Sequence, residues 1–321
     1  MFKNIVECVL SKFNINHPFT FSLISNSYSL SSSHVFKVVS SNGVFALKSY
    51  SFEDYNSLAF IHTLLDQIHS NGFGLFPSVI CSKDNTTVVS QGGFCWDLSI
   101  WLPGDMPDPL ICNLLHSIKS LAQFHLVMGL GYSEYGLMPG MEKRLSAIKS
   151  FSVSNINLDS ISFIPVISLI DLLKWIKQGV DTLGVSILPK VKIQYCWGDA
   201  RRENVLFSNN RISGLVDYYA FRRDCMEVDV ARMISSFAGD DLSMWTTALT
   251  AYSENFKIDY LVCRKLDIFG TIVSLYRWLN WLQYPMPEAR YKQGCQRFME
   301  IFQRVEKWKE HGSLKSMLFY D

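Results

Sequence analysis

The sequence predicts a two-lobed α+β protein, with an antiparallel sheet in the amino-terminal lobe and mainly helices in the carboxyl-terminal lobe. In the first third of the chain, β-branched and aromatic residues alternate with polar ones, which is the pattern of half-buried strands. The remainder repeats apolar residues at helical spacing and contains one short β segment. Pro103-Gly104 breaks the pattern between them, so we expect lobes over 1–102 and 103–321.

Composition excludes several classes of protein. The chain has 321 residues, 48% of them hydrophobic, which is enough for a large buried core. Its net charge of +1 indicates neither a nucleic acid nor an anionic membrane as partner. Its eight cysteines lie singly, without metal-binding spacing, so we expect reduced thiols. The start lacks a signal-peptide core, and Asp171 and Lys174 interrupt the most apolar stretch, so we expect a cytoplasmic protein that does not cross a membrane.

The amino-terminal lobe is predicted to contain a helix, three successive strands, a second helix and two more strands. Asn42-Gly43 favours a hairpin between the second and third strands, because both residues tolerate the positive φ of tight turns. Asn71-Gly72 ends the second helix. The predicted elements are a helix over 2–13, strands over 19–24, 35–39 and 45–50, a helix over 53–69, and strands over 86–90 and 94–101.

The carboxyl-terminal lobe is predicted to be helical around a lone β segment. Helices are expected over 110–127, 142–151 and 166–183, and in a series from about 227 to 309. The β segment comprises strands over 193–195, 205–207 and 212–217, the last two joined by the turn Asn209-Asn210.

Two carboxylates and one amide are spaced around this β segment so that its loop, strands and turn bring them together. Asp199 lies in the loop, Asn204 directly precedes the second strand, and Asp217 ends the third. Phosphoryl transfer needs a carboxylate that orients the attacking hydroxyl and accepts its proton, and oxygen ligands that hold Mg²⁺. Asp199 fits the first role, and Asn204 with Asp217 fits the second.

Each of these residues has a plainer interpretation as well. An isolated Asp or Asn is often a turn residue or a helix cap. The combination argues against that interpretation, because Asp217 ends an otherwise apolar strand. A buried carboxylate at such a position is costly without a cation nearby.

The segment GDARRENVLF, from Gly198 to Phe207, and the segment LVDY that ends at Tyr218 resemble motifs of a known superfamily. They are similar to the catalytic and metal-binding segments of aminoglycoside phosphotransferases, choline kinases and homoserine kinase-like proteins. Segments 101–104, 121–125 and 229–232 also resemble that group. The resemblance implies a protein-kinase-like fold and transfer of the ATP γ-phosphate, with Mg²⁺, to a hydroxyl of an aminoglycoside-, choline- or homoserine-like small molecule. It also implies that Asp229 braces the catalytic loop.

Four residues are predicted to contact the nucleotide. Lys48 ends the third strand, where the kinase pattern places a lysine that reaches the phosphates. Glu53, at the start of the next helix, is its expected partner, although the family carries that glutamate further along. Ser29 belongs to a serine-rich turn that stands in place of a glycine-rich phosphate loop; the alternative is a plain flexible loop. Trp101 lies in the segment that resembles the family's hinge.

Two departures from the family pattern leave an alternative function open. Trp197 stands where the family has a histidine, and the usual helix glutamate is missing. A tryptophan cannot make the same pair of hydrogen bonds. The alternative is therefore a catalytically idle nucleotide-binding protein or scaffold on the same fold. A protein kinase is disfavoured, because HRD, DFG and APE motifs are absent.

The acceptor cannot be identified from spacing. Arg201 and Arg202 fit either the transferring phosphate or an anionic acceptor, or are solvated loop charges. Carboxyl-terminal aromatic residues fit a cage for a cationic acceptor, although their helical spacing favours a place in the core. Candidate carboxylates for an amine-bearing acceptor are Asp224, Asp240 and Asp241, of which Asp241 also has the position of a helix cap. The oligomeric state stays open.

Overall fold

In a computed structural model, the described part of the chain forms ten β-strands, five of them in one antiparallel sheet, and nine α-helices. The structure describes residues 2–24, 34–130, 134–151, 166–182, 190–312 and 314. The five-stranded sheet lies in the first hundred residues, as the sequence predicts, and the helices dominate after residue 110. This arrangement confirms the predicted α+β class. Among the described helices, none is both long and apolar enough to cross a bilayer.

The amino-terminal sheet has the strand order β1-β2-β3-β5-β4, with every neighbouring pair antiparallel. Helix α1 buries Val6, Val9 and Leu10 against one face, where Leu47 and Trp96 are also buried. The elements of this half are α1 (Phe2–Ser11), β1 (Phe19–Ile24), β2 (Val35–Ser40), β3 (Gly43–Ser51), α2 (Tyr55–Ser70), β4 (Val89–Gln91) and β5 (Phe94–Ile100).

The other face of the sheet meets helix α2, whose apolar stripe joins the main core of the helical half. Leu58, Ile61 and Leu65 on α2 are buried in the same cluster as Phe124 and Trp197 from the carboxyl-terminal half. The two halves therefore share one continuous core beside the cleft between them.

In the helical half, α8 packs against α4, α6 and α9, and α3 packs against α6 and α7. Two small sheets lie beside these helices, with strand orders β10-β7-β6 and β8-β9. The elements are α3 (Ile111–Gly129), β6 (Glu134–Gly136), α4 (Pro139–Ser150), α5 (Val166–Thr182), β7 (Val191–Cys196), β8 (Val205–Ser208), β9 (Arg211–Leu215), β10 (Arg222–Cys225), α6 (Met226–Ala238), α7 (Leu242–Ser253), α8 (Tyr260–Trp281) and α9 (Glu288–Glu310).

Several element boundaries differ from the sequence prediction. The strand expected over 86–90 covers only Val89–Gln91, because a turn occupies the preceding residues. In that turn Ser82 N–H donates to the Thr86 carbonyl, and Asn85 has a φ of 59°. The helix expected from residue 53 begins as a 3₁₀ turn and becomes α-helical at Tyr55.

Candidate active site

A cavity of about 1320 Å³ lies between the amino-terminal sheet and the carboxyl-terminal helices. Residues from β3, β5, the β7–β8 loop and the β9 end line it on one side, and residues from α6, α8 and α9 line it on the other. Five of the predicted site residues line this cavity: Lys48, Trp101, Asp199, Asn204 and Asp217. The fold thus brings together residues that are up to 169 positions apart in sequence.

The loop that carries Asp199 leaves β7 through Gly198, which has a φ of 80°. A side chain there would collide with the carbonyl of Ala220 and with the guanidinium of Arg222. Only glycine permits this close passage, because it lacks a Cβ and adopts positive φ without strain. The turn directs the next residue, Asp199, into the cavity.

The Asp199 carboxylate sits among cationic and amide groups. Its Oδ2 accepts a hydrogen bond from Asn204 Nδ2 at 2.9 Å and lies 3.1 Å from Arg201 Nε, while its Oδ1 forms an ion pair with Arg232. Burial alone would raise the pKa of Asp199, but Arg232 and Arg201 outweigh it and hold this pKa below its usual value. Asp199 is therefore ionised at neutral pH and able to accept a proton or orient a hydroxyl.

Asn204 and Asp217 present oxygen atoms suited to a divalent cation. Asn204 uses its Nδ2 to bind the carbonyl and the carboxylate of Asp199, which leaves Oδ1 outside the hydrogen bonds formed among the described residues. Val216 N–H donates to the Asn204 carbonyl at 2.9 Å and so joins the two segments. Amide and carboxylate oxygens are the ligands that Mg²⁺ prefers, so the residues present fit the metal that the sequence predicts.

Lys48 reaches the segment that carries Asp217. Its Nζ donates to Asp217 Oδ1 at 2.6 Å. Glu53, its expected partner, lies exposed in the 3₁₀ turn, and no ion pair joins the two within the described chain. The turn of Phe52–Asp54 holds Glu53 off the helix, so it is Asp217 that neutralises Lys48.

Trp197 is fully buried and connects the loop that carries Asp199 with the loop that carries Asp217. Its backbone N–H donates to Asp229 Oδ2 at 2.6 Å, and its indole N–H donates to the carbonyl of Asp217 at 3.2 Å. Asp217 has left-handed backbone angles, with φ at 63° and ψ at 55°. The tryptophan therefore makes a hydrogen bond of its own to the loop of Asp217, even though it lacks the histidine chemistry expected at this position.

Asp229 braces the loop before Asp199 in the manner that the family resemblance implies. Its two oxygens accept from the backbone N–H groups of Trp197 and Gly198, at 2.6 and 2.7 Å. His125 adds a contact of 3.2 Å to Asp229 and one of 2.7 Å to the Tyr252 hydroxyl. Asp229, His125 and Cys196 lie close enough to suggest a metal site. The hydrogen bonds above already engage Asp229 and His125, and the Cys196 thiol donates to the Asp224 carbonyl at 3.3 Å.

A buried polar cluster around Asp97 lies beside the Lys48–Asp217 pair and was not predicted from the sequence. Asp97 Oδ2 accepts from the hydroxyls of Tyr218 and Tyr50 at 2.7 and 3.1 Å, and contacts His62 Nε2 at 3.2 Å. Burial, followed by the charge of Asp97, raises the pKa of Tyr218 well above its usual value. The cluster joins the sheet, helix α2 and the loop of Asp217 and Tyr218. Its signal in the sequence is a single Asp inside the buried strand FCWDLSI.

Trp101 and Ser29 are the other two residues that the sequence predicts to contact the nucleotide. Trp101 lines the cavity, and the Lys37 ammonium lies 4.8 Å from the centre of its ring. Ser29 lies outside the residues that the structure describes.

Of the carboxyl-terminal aromatic residues considered for a cationic acceptor, Trp278 lines the cavity and Tyr284 is exposed. Tyr276 and Trp278 are buried, and Phe151 stacks on Tyr276 at 3.7 Å. Asp241 caps helix α7 by accepting from the Met244 N–H.

The remaining two carboxylates are also paired. Asp240 is bound by Arg304 and by the indole of Trp308. Asp224 is buried, accepts from two backbone N–H groups and pairs with Arg222. Asp240 and Asp224 thus have arginine partners, and none of the three candidate carboxylates, Asp241 included, is among the described residues that line the cavity.

Comparison with known proteins places this site in a family context. A family model described as "Phosphotransferase enzyme family" matches residues 28–266. A search of curated protein sequences gave no match. Similar folds occur among solved structures of antibiotic kinases, all at low sequence identity.

An amicoumacin kinase in complex with AMP-PNP and Ca²⁺ is similar with a TM-score of 0.67 at 8% identity, over 95% of this chain and 93% of that one. A spectinomycin phosphotransferase with ADP and spectinomycin has a TM-score of 0.63 at 15% identity, over 95% and 93% of the two chains. An aminoglycoside phosphotransferase from Alicyclobacillus acidocaldarius has a TM-score of 0.60 at 14% identity, over 95% and 96%. These likenesses confirm the predicted protein-kinase-like fold.

Proposed function

The chain belongs to the phosphotransferase enzyme family, and from this premise we propose that it transfers the γ-phosphate of ATP, with Mg²⁺, to a hydroxyl group of a small molecule. One observation carries the proposal. Asp199, Asn204 and the Lys48–Asp217 pair line the same cavity, with the base, the metal ligands and the phosphate-binding cation side by side.

We place the nucleotide in the cleft between the lobes over 1–102 and 103–321. Lys48 lies at the phosphate end, because its ammonium is held by the aspartate assigned to the metal. Trp101 lines the same cavity, where an aromatic side chain suits contact with a base. Solved relatives with AMP-PNP or ADP support a nucleotide in a fold of this kind.

In the proposed reaction Asp199 orients the acceptor hydroxyl and accepts its proton. The acceptor oxygen forms a bond to the γ-phosphorus while the bond from that phosphorus to the β–γ bridging oxygen breaks, and ADP leaves. Arg201 and Arg232 keep Asp199 ionised. Mg²⁺, held by Asn204 and Asp217, would neutralise charge on the phosphates.

The alternative of an idle nucleotide-binding protein was motivated by Trp197 and by the missing helix glutamate. The structure gives Trp197 a hydrogen bond to the metal-binding loop and gives Lys48 a carboxylate partner, Asp217. Both observations favour an active transferase. Trp197 supports the loop where the family has a histidine, and Asp217 pairs with Lys48 where the family has a helix glutamate.

The test is a measurement of phosphate transfer from ATP, with Mg²⁺, to a panel of sugars, amino sugars, amino alcohols and hydroxy acids. We expect product with the wild-type protein and a loss of at least about a hundredfold in kcat for Asp199→Asn. Asp66→Asn, on the exposed face of α2, removes the same charge outside the cavity and serves as the matched control.

Thermal unfolding with ATP and Mg²⁺ separates the two functions. Stabilisation together with product supports the transferase, and stabilisation without product for any acceptor supports the idle binder. If neither nucleotide binding nor transfer is seen, or if Asp199→Asn transfers phosphate at the wild-type rate, the proposal is wrong.

A further inference from the structure

The helical side of the cavity carries an excess of guanidinium groups. Residues of the carboxyl-terminal half that line it include seven arginines but only five carboxylates, and one of these, Asp217, is neutralised by Lys48. The arginines are Arg144, Arg201, Arg202, Arg232, Arg277, Arg297 and Arg304. The remaining carboxylates are Asp199, Glu203, Asp267 and Glu300.

Each of those four carboxylates already has an arginine partner. Asp267 pairs with Arg304 at 2.8 Å, and Glu300 pairs with Arg297 at 2.9 Å. Glu203 lies 3.8 Å from Arg297 through Oε1, and its buried Oε2 has no partner within the described chain. This oxygen is suited to accept from a hydroxyl of a bound ligand.

Arg144, on helix α4, is a cavity-lining cation that forms no ion pair with any described residue. Of its five N–H groups, one donates to the Gly140 carbonyl at 2.8 Å, and no carboxylate lies within ion-pair distance of it in the described chain. Its guanidinium lies against Gly270 on α8, at a point where a larger residue would crowd it. Burial lowers the pKa of Arg144 to about 10; Asp224 opposes this shift, and Arg222 and Arg232 add to it.

Arg277 faces the same space from helix α8. It lies seven residues after Gly270, two helical turns along the same face, with Ser274 between them. Side chains on a helix tilt toward its amino terminus, so Arg277 leans toward Ser274 and Arg144. It is exposed to the cavity and has no hydrogen bond or ion pair with any described residue.

Arg232 connects this region to the reacting centre. It forms an ion pair with Asp199, its charge acts on Arg144, and its buried Nε has no hydrogen-bond partner among the described residues. Arg144, Arg232 and Asp199 line the same cavity, so a ligand held by Arg144 has a continuous path toward Asp199. Arginine is suited to this role, because its planar fork binds carboxylate and phosphate groups through two parallel hydrogen bonds.

We propose that the acceptor is an anionic small molecule, whose carboxylate or phosphate group is bound by Arg144 and Arg277 and whose hydroxyl is directed to Asp199. This inference rests on the proposed function, since it names the substrate class of the same site. It differs from what the antibiotic-kinase relatives suggest, because an amine-bearing acceptor would meet repulsion from the unpaired guanidinium groups.

The test uses four sugars of similar size that differ in charge: glucose, glucosamine, gluconate and glucose 6-phosphate. Each is titrated by calorimetry into protein saturated with AMP-PNP and Mg²⁺, so that the phosphate-binding end of the cleft is already filled. Saturation is verified for every variant by thermal unfolding. The binding of AMP-PNP, measured in this way, tests the proposed function separately.

We expect gluconate or glucose 6-phosphate to bind at least about tenfold more tightly than glucose, and glucosamine to bind no better than glucose. The preference should disappear in Arg144→Gln and shrink in Arg277→Gln. Arg144→Lys keeps the charge but loses the fork, so it should retain part of the preference. Arg211→Gln, an exposed site outside the cavity, should keep all of it.

Tighter binding of gluconate indicates a site for a carboxylate, and tighter binding of glucose 6-phosphate indicates a site for a phosphate. The inference is overturned if glucosamine binds as tightly as the anions, or if neither anion binds better than glucose. It is also overturned if the anion preference survives in both folded variants, Arg144→Gln and Arg277→Gln. Any of these results together with normal AMP-PNP binding leaves the proposed phosphotransferase in place, whereas a failure of AMP-PNP to bind counts against the proposed function alone.

Discussion

The indole N–H of Trp197 donates a hydrogen bond to the backbone carbonyl of Asp217 over 3.2 Å. The backbone N–H of Trp197 donates to Asp229, which fixes the position of the tryptophan itself. One buried side chain thus joins the loop of the proposed base to the loop of the proposed metal ligand. Asp217 is held in left-handed backbone angles, which a non-glycine residue adopts only when its surroundings fix it.

Trp197→Phe should impair catalysis more than it impairs folding. The substitution removes the hydrogen bond to Asp217 while keeping an aromatic ring in the core. We expect a drop in kcat of about tenfold or more, because small displacements of reacting groups are costly. The concentration of Mg²⁺ needed for half-maximal rate should also rise. Steady-state kinetics at varied Mg²⁺ would measure both effects.

Trp245→Phe is the matched control for this substitution. Trp245 is also fully buried, and its indole donates to the Gly239 carbonyl at 2.9 Å, away from Asp217. Both variants should lose about 1–3 kcal/mol of stability in denaturant unfolding. Equal kinetic losses in the two variants would show that Trp197 acts only through general stability.

His62→Leu should weaken nucleotide binding through the Asp97 cluster. His62 lies on α2 and contacts the buried carboxylate of Asp97, which Tyr218 of the metal-binding loop also contacts. Its loss leaves Asp97 with one partner fewer and uncouples α2 from that loop. We expect a stability loss of about 1–3 kcal/mol and a several-fold higher KM for ATP.

His69→Leu, on the same helix, separates the two effects. His69 contacts the Phe76 carbonyl at 2.9 Å and does not belong to the Asp97 cluster. It should lower stability without changing the KM for ATP. An unchanged KM in His62→Leu as well would mean that the cluster only holds the fold together.

Arg201→Gln should shift the pH dependence of activity. The pKa of Asp199 is lowered because Arg232 and Arg201 outweigh the effect of burial. Removing Arg201 takes away one of the charges that lower this pKa, so the pKa rises. Asp199 acts in its ionised form, so the variant should lose activity at a higher pH than the wild type as the medium is acidified. Profiles of kcat/KM against pH would measure the shift.

The control for the pH profile is Arg211→Gln, which removes a cation from the exposed end of β9. Its acid limb should coincide with that of the wild type. An acid limb that moves to lower pH in Arg201→Gln, or does not move at all, would contradict the assignment of Asp199 as the titrating base.

The sequence predicts the local part of the site well and the long-range part poorly. Asp199, Asn204 and Asp217 fall within one loop and hairpin, so their convergence follows from short-range geometry. Lys48 was expected at the nucleotide phosphates from its position at a strand end. Its partner could not be derived in this way, since Asp217 is 169 residues away and only the packing of the two halves brings them together.

The arginines of the cavity illustrate the same limit. Arg144, Arg232 and Arg277 lie on three different helices, and no spacing in the chain connects them. Arg201 was noted only because it lies in the catalytic loop. Asp97 left a readable signal, a carboxylate inside a buried strand, but its partners come from β3, α2 and the turn after β9.

Arg304→Met should destabilise the protein without a direct effect on chemistry. The Arg304 guanidinium on α9 donates to both oxygens of Asp240 and both oxygens of Asp267, and so fastens α9 to α8 and to the end of α6. Methionine keeps much of the volume but leaves the buried Asp267 with fewer partners. We expect a loss of about 3 kcal/mol in the free energy of unfolding, measured in denaturant.

Lys292→Met on the same helix breaks an ion pair that is exposed to solvent. Lys292 lies 2.6 Å from Glu288, with side chains 73% and 79% exposed, so the loss should be about 0.5 kcal/mol or less. The difference between the two variants measures how much the burial of Asp267 matters, since each substitution removes one cation from α9. Similar losses of stability in both variants would contradict this expectation. They would show that Arg264, which lies 3.1 Å from Asp267, is sufficient to neutralise that carboxylate without Arg304.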